Sequence, residues 1–320
     1  MDAYGEMASP EEFIDNLWRG YTEDLRRRSP FAHRIFMFMV RHGFGIIMRA
    51  FFTTMAILYF VFVFGIVIPF ESLYKPRWIV IIGSAVAVYL YFNVVFYFIM
   101  ASITGPGNPK KNPHGNAGCK VCLKSKPPGT HHCSMCGACI IKMDHHCVWI
   151  NQCVGAGNHR YFFQLLVSLT TSMLLLLTLG YNTFYNNYTR NVFSYCAGGF
   201  DHLFWSEFIC NDYGVWVANI TQVLFFITVV IWFLMGGFCV WNCFIISYGT
   251  TYLECLTHFR TIFNSRPSFD QIKTNWQIFL GLSRGRSFWT HILLPSFHVC
   301  ERYGEEPVTP DEEMLSVVVH

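Results

Sequence analysis

Charge is what this 320-residue sequence has little of: only 13% of its residues are Asp, Glu, Lys or Arg, and the net charge is +3. A balance that slight, with no Lys/Arg tail and no candidate reading helix, argues against a nucleic-acid partner. Charge is missing above all from the middles of four long apolar runs, roughly 50–70, 78–101, 161–185 and 215–247. Transporters and channels need ionisable groups inside their spans, so this absence argues against both. The first apolar run begins well past residue 40, behind a charged, amphipathic arm, which predicts no cleavable signal peptide ahead of it.

What is present is apolar: 53% of residues are hydrophobic, and Phe alone counts 32. Each of the four runs is long enough to cross about 30 Å of hydrocarbon. The fourth is longer than one crossing needs, so it is expected to tilt or to project into the cytosol, with Asn219, Gln222 and Asn242 facing other helices. Of 23 Lys and Arg, seven precede the first run, seven lie between the second and third, and six follow the fourth. This asymmetry places both termini and the loop at 102–160 in the cytosol. The expected fold is an all-α polytopic membrane protein with four transmembrane helices.

The flanking regions add detail. Ser9-Pro10-Glu11-Glu12 reads as an N-cap, an N1 proline and a capping-box glutamate, and Phe13, Ile14, Leu17, Trp18, Tyr21 and Leu25 follow at helical spacing. This arm, residues 1–49, either lies on the anionic cytosolic leaflet or packs on the protein's own soluble face. On the opposite side of the membrane, Asn187-Tyr188-Thr189 is a glycosylation sequon, and Cys196 and Cys210 are placed to pair in an oxidising lumen. The sequence expects the first two helices in 50–101, the other two with a luminal loop in 161–247, and a cytosolic C-terminal region at 248–300. The tail, 301–320, is acidic and aperiodic and reads as disordered.

Seven of the thirteen cysteines fall between Cys119 and Cys153, together with His131, His132, His145 and His146. The CxxC, CxxCxxC and HHC groupings are spacings that zinc selects, and a reducing cytosol favours metal over disulfides. A closed structural zinc takes four N/S ligands, so the segment is too rich for one ion and suits two. Two ions use eight of the eleven candidates. Because Asp144, His145, His146 and Cys147 are contiguous, they cannot all converge on one ion. A thiol left beside an imidazole and a carboxylate is how a thiolate nucleophile is made. The alternative is that all seven cysteines are structural, as in a zinc ribbon or a RING-type module.

The order CxxC, KP, THHC, CxxC, C, MDHHC, W, N, CVG and then NHRYFF resembles the cysteine-rich domain of the DHHC protein S-acyltransferases, often called palmitoyltransferases. The resemblance implies one zinc on Cys119, Cys122, His132 and Cys139, and a second on Cys133, Cys136, His146 and Cys153. It makes Cys147 the acylated nucleophile, His145 its general base and Asp144 the residue that orients His145. It further implies an acyl donor such as palmitoyl-coenzyme A, and acceptors that are cysteine-containing, membrane-associated proteins. Lys124, Lys126 and His131 are candidates for the coenzyme's phosphates.

Other parts of the chain resemble that family with departures. Thr104-Gly105-Pro106-Gly107 resembles its DPG motif with Gly105 for Asp. The arginine of KPxR is Gly129, and Val148 and Gln152 replace the usual Pro and Asn. Thr251-Tyr252-Leu253-Glu254 resembles TTxE, although the four residues alone read as a helix-end Thr and a solvated Glu. Thr251 is nevertheless a candidate contact, as is Asn275, which lies in a C-terminal aromatic motif where a buried polar contact is expected to support the site. NWQIFLG and FWTHILLPSFH look most like the Abl-philin 2 subgroup, which implies the endoplasmic reticulum, with the Golgi as the alternative. The departures keep a second function in view, a catalytically weak zinc-containing membrane scaffold that binds client proteins.

Overall fold

The structure, a computed structural model, describes residues 10–39, 43–109, 118–124, 126–189, 214–282 and 286–298. The sequon lies inside a helix, Tyr181–Thr189. Ser9, Cys196, Cys210 and the tail at 301–320 lie outside the described residues. Two compact units can be distinguished, one built from residues 53–100 and 161–244, the other from stretches within 1–52, 101–160 and 245–320.

Among the described residues, four helices are long and apolar enough to cross a membrane: Phe44–Glu71, Arg77–Ile103, His159–Leu179 and Trp216–Ser247. The first starts before the apolar run does and continues through a π-helical turn at Val63–Val67 to Glu71. The third ends sooner than its composition suggests, at Leu179 rather than near residue 185. The reason lies far away in sequence. Glu71, almost fully buried, accepts hydrogen bonds from the Thr183 amide at 2.7 Å, the Thr183 hydroxyl at 2.8 Å and Asn182 Nδ2 at 2.9 Å. A carboxylate at that position satisfies the first turn of a new helix. Lys75, ion-paired to Glu71 at 2.9 Å, also donates to the Leu179 carbonyl, closing the old helix. In the fourth span Asn242 is fully buried, but Asn219 and Gln222 are exposed. Both sit within the first turns of a helix that begins at Gly214.

The cysteine-rich segment of the other unit folds as two small antiparallel hairpins: β1 (His131–Cys133) with β2 (Ala138–Ile140), and β3 (His145–Cys147) with β4 (Gln152–Val154). The linker from the second span clasps them, since Gly107 O accepts from Ile141 N at 2.9 Å and Pro106 O accepts from Gly157 N at 3.0 Å. Gly107 has φ +92°, where glycine is the favoured residue. Cys133, Ile140, Met143, Cys153 and Leu253 form a small core that joins the hairpins to the C-terminal helix Tyr252–Asn264. Both that helix and the next, Phe269–Phe279, start with complete capping boxes, Thr251 with Glu254 and Ser268 with Gln271. Such caps fix the residue at which a helix starts. Within the second helix Phe279 packs edge-on to His159, but Phe269 is 80% exposed.

The N-terminal arm is a pair of helices, Pro10–Arg28 and Pro30–Phe38, with Tyr21 edge-on to Phe36. Leu17, Tyr21, Phe31, Ile35 and Phe38 are exposed, so these side chains are not packed on the described part of the soluble face.

Candidate active site

The hairpin register explains how so many ligands come together. His132 stands opposite Cys139 in the first hairpin, and His146 opposite Cys153 in the second. Each pair is joined by a CxxC turn from the preceding segment. Cys119, Cys122, His132 and Cys139 bring four ligand atoms within 4.8 Å of one another, and Cys133, Cys136, His146 and Cys153 do the same. His132 Nδ1 lies 3.2 to 3.9 Å from its three sulfurs, and His146 Nδ1 lies 3.3 to 3.6 Å from its three. With bonds of about 2.3 Å to sulfur and about 2.1 Å to nitrogen, neighbouring ligands of a tetrahedral zinc stand roughly 3.6 Å apart. Each set therefore fits one tetrahedral ion, and each is closed, with no position left for water.

Cys147 belongs to neither set. It is the last residue of β3, buried to 6% exposure, and stands opposite Gln152. His145, two residues earlier on the same strand, hydrogen-bonds Asp144 Oδ2 through Nδ1 at 2.9 Å and pairs with the Cys147 sulfur, a contact for which Nε2 is the remaining ring nitrogen. Burial works against a charged imidazole, but the Asp144 carboxylate and the Cys147 sulfur outweigh it and hold His145 up at about 9. For Cys147 burial works against the thiolate, and His145 with the backbone N–H groups of Ile150 and Trp149 overcomes it, bringing the thiol below its ordinary value. Burial likewise opposes the Asp144 carboxylate, and His159, His145 and the Tyr252 amide together keep its pKa below the usual one.

Asp144 has a second anchor that a list of side chains does not contain. Its Oδ1 accepts from the backbone N–H of Tyr252 at 2.7 Å. Tyr252 is the first residue of the helix capped by Thr251, so the positive end of that helix faces the carboxylate. Thr251 is itself buried, and its hydroxyl accepts from Glu254 N. Glu254 is not merely solvated: Oε2 accepts from Thr251 N at 3.0 Å and Oε1 pairs with Lys142 Nζ at 2.7 Å, both side chains of the pair being about one-fifth exposed. Asn275 braces the chain just before this helix, donating to Ser247 O at 3.0 Å, while Trp276 Nε1 donates to Ser247 Oγ at 3.0 Å.

Three of the departures from the family pattern, at Gly129, Gln152 and Gly105, have local explanations. At Gly129, φ is +75°, and a Cβ would stand 2.5 Å from Glu254 Oε1 and 2.8 Å from Lys142 Cδ. The Lys142–Glu254 pair thus occupies the space beside this residue. Gln152 donates to the carbonyls of Ala101 and Thr104, tying β4 to the end of the second span. At Gly105 the turn survives without a carboxylate through the backbone bonds of Pro106 and Gly107. Of the candidates for phosphate, Lys126 is exposed, Lys124 is half-buried, and His131 is half-buried in β1 opposite Ile140. A contact that sequence reading missed joins the loop after Cys147 to the start of the first span: Trp149 packs on Phe51 with ring centroids 6.5 Å apart, and Asn151 lies directly against Gly45.

Comparison with known proteins agrees with this geometry. The DHHC palmitoyltransferase family model matches residues 112–259, which cover both hairpins, the third and fourth spans and the first part of the helix that starts at Tyr252. The chain is 31% identical over 230 residues to palmitoyltransferase ZDHHC16 of Mus musculus, in an alignment that takes in 64% of this chain and 58% of the relative. The chain thus spans somewhat more than half the length of that curated relative. Residues 112–259 of this chain are thus similar to the DHHC palmitoyltransferase family.

Proposed function

We propose that this protein is a protein S-acyltransferase that moves a long-chain acyl group, palmitoyl in the first instance, from acyl-coenzyme A to cysteine thiols of membrane-associated proteins. One observation carries the reading: within the cysteine-rich segment the buried thiol of Cys147 lies outside both closed ligand sets and faces an imidazole held by a carboxylate.

In the first step the Cys147 thiolate attacks the thioester carbonyl, a new C–S bond forms, and coenzyme A leaves as a thiolate that takes the proton held on His145. In the second, His145 removes the proton of the acceptor thiol, the acceptor sulfur attacks the Cys147 thioester, and the Cys147 thiolate is released. Asp144 keeps Nδ1 of His145 occupied and so aims Nε2 at the sulfur in both steps. The two zinc ions proposed for the closed sets hold the hairpins in register. Burying an acyl tail contributes about 0.8 kcal/mol per CH₂, which positions the donor as well as binding it. Lys126 and His131 are proposed contacts of the coenzyme phosphates, and Thr251 and Asn275 act through Asp144 rather than on the donor. The proposed setting is the endoplasmic-reticulum membrane with both termini and the hairpins in the cytosol.

The test is to incubate purified protein with labelled palmitoyl-coenzyme A, with and without hydroxylamine, and to compare it with Cys147→Ser. The parent should take a hydroxylamine-sensitive label and the variant none. A label that persists in Cys147→Ser removes the mechanism, and no label on the parent favours the scaffold reading.

A further inference from the structure

The cysteine-rich segment repeats with a step of fourteen residues, and the repeat runs one turn further than the metal sets do. Cys119, Cys133 and Cys147 are spaced by that step. So are three of the residues with positive φ, Leu123 at 52°, Gly137 at 65° and Asn151 at 57°. A residue in this conformation ends each five-residue turn, and outside glycine it is uncommon enough to mark a built feature. The amides repeat as well. Cys122 N donates to Cys119 Sγ and Cys136 N to Cys133 Sγ, each at 3.4 Å, and Ile150 N–H donates to the sulfur of Cys147. The neighbouring position donates in two of the three turns, Val121 to Cys119 and Trp149 to Cys147. Each turn is thus the same knuckle, with amide N–H groups directed at the sulfur of its first residue.

In the first two knuckles the fourth residue is a ligand, Cys122 or Cys136. In the third it is Ile150, buried to 1% exposure. The remaining parts of a metal site are nonetheless present. His145 faces the sulfur, and Asp144 bonds its other nitrogen, the carboxylate–histidine arrangement that commonly backs a metal ligand. One thiolate and one imidazole lack the third protein ligand found in Cys₂His zinc sites.

We propose that Cys147 heads a third knuckle in which Ile150 keeps metal off the sulfur, leaving the amides of Trp149 and Ile150 to face a metal-free sulfur. This rests on the reading of Cys147 as the nucleophile, which it deepens: the same N–H groups face the sulfur when it departs as the leaving group of the second step. Ile150 is a positioning residue, since its side chain touches neither donor nor acceptor in this scheme.

The experiment is Ile150→Cys in the full chain, purified under reducing conditions, with metal content measured by elemental analysis and the site examined by cobalt(II) substitution, whose sulfur-to-metal charge-transfer band counts thiolates. The variant should carry one more equivalent of zinc per chain than the parent, with a stronger charge-transfer band, and its palmitoyl label should fall at least tenfold. Adding Cys147→Ser to it should remove the extra equivalent, and Ile150→Val should gain none. If Ile150→Cys does not accumulate as folded protein, Ile150→His offers another metal-binding atom at the same position with the same readouts. A folded variant of either kind that gains no metal and labels like the parent overturns the proposal. A parent that takes no label, alongside an Ile150→Cys protein that gains zinc, removes the acyl-enzyme reading and supports the third knuckle.

Discussion

The two hairpins are built alike and end differently. Each has a His-His-Cys strand paired with a strand carrying a ligand cysteine, in the same register. In the first, the strand's last cysteine, Cys133, passes on to the second metal set; in the second, its counterpart Cys147 has no set to join. The residue before the histidines differs too: Thr130 in the first hairpin, Asp144 in the second. On the proposed reading, a ligand scaffold becomes a nucleophile through two changes: one missing partner at Ile150, and one added carboxylate to turn the neighbouring imidazole toward the sulfur. The difference between a structural and a reactive thiol is set by what surrounds it.

The harshest way to break the comparison is to remove a residue that both hairpins need. His132→Ala or His146→Ala each leaves three ligands and opens a closed set. Structural zinc contributes about 10–16 kcal/mol to the folding of small zinc modules. Either variant should therefore lose an equivalent of metal and accumulate little folded protein, as measured by elemental analysis and by size-exclusion yield in detergent. Normal yield with full metal would refute the ligand assignment. The two sets should be equally sensitive, because the hairpins have the same design.

A gentler change converts the second hairpin toward the first. Asp144→Thr supplies the residue found at Thr130 and removes both hydrogen bonds of the carboxylate. General-base assistance is worth about 10²–10⁴ in rate, so single-turnover acylation should fall by about a hundredfold or more while metal content stays at the parent level. Tyr252→Pro dissects this further. Proline suits the first position of a helix, and Thr251, with φ −108° and ψ 166°, already has the extended backbone that a following proline demands. The N–H facing Asp144 Oδ1 is lost together with the phenol side chain, and Tyr252→Ala, which keeps the N–H, separates the two. A hydrogen bond to a charged group is worth about 1.5–3 kcal/mol, so a loss of about tenfold, smaller than that of Asp144→Thr, is expected. Equal losses in the two variants would mean that Asp144 is held by the helix alone.

Much of this architecture was legible in the sequence, and the gaps have physical causes. The spans showed because apolar runs of that length have few other uses, and the ligand sets followed from a resemblance whose motifs are dense in cysteine and histidine. The early end of the third span was hidden because Glu71 and Lys75, more than a hundred residues upstream, decide it. The strands were hidden because three residues are too few for an alternating pattern to register. The role of Tyr252 was out of reach for a different reason: the functional group is an amide N–H, which every non-proline residue has. The fourteen-residue step, by contrast, is visible in the spacing of Cys119, Cys133 and Cys147, but it acquires meaning only with the left-handed residues that close each turn.

If metal fixes the first two knuckles, something else must fix the third. The structure supplies packing: Asn151, which closes it, lies against Gly45, where even a Cβ would fall 1.8 Å from Asn151 Cγ, and Trp149 rests on Phe51. Gly45→Ala therefore forces Asn151 aside and displaces the turn that holds Cys147, while the ligands at Cys119–Cys139 and Cys133–Cys153 keep their own anchors. Overpacking of this kind costs about 1–3 kcal/mol. The expected outcome is a several-fold slower acylation of Cys147 by labelled palmitoyl-coenzyme A, with unchanged zinc content. Asn151→Gly in the same chain should restore part of the rate, because it removes the colliding side chain at a backbone angle that glycine adopts freely. Zinc loss in Gly45→Ala would show instead that the three knuckles share one mechanical support, and an unchanged rate would show that the third is rigid without its contact to the first span.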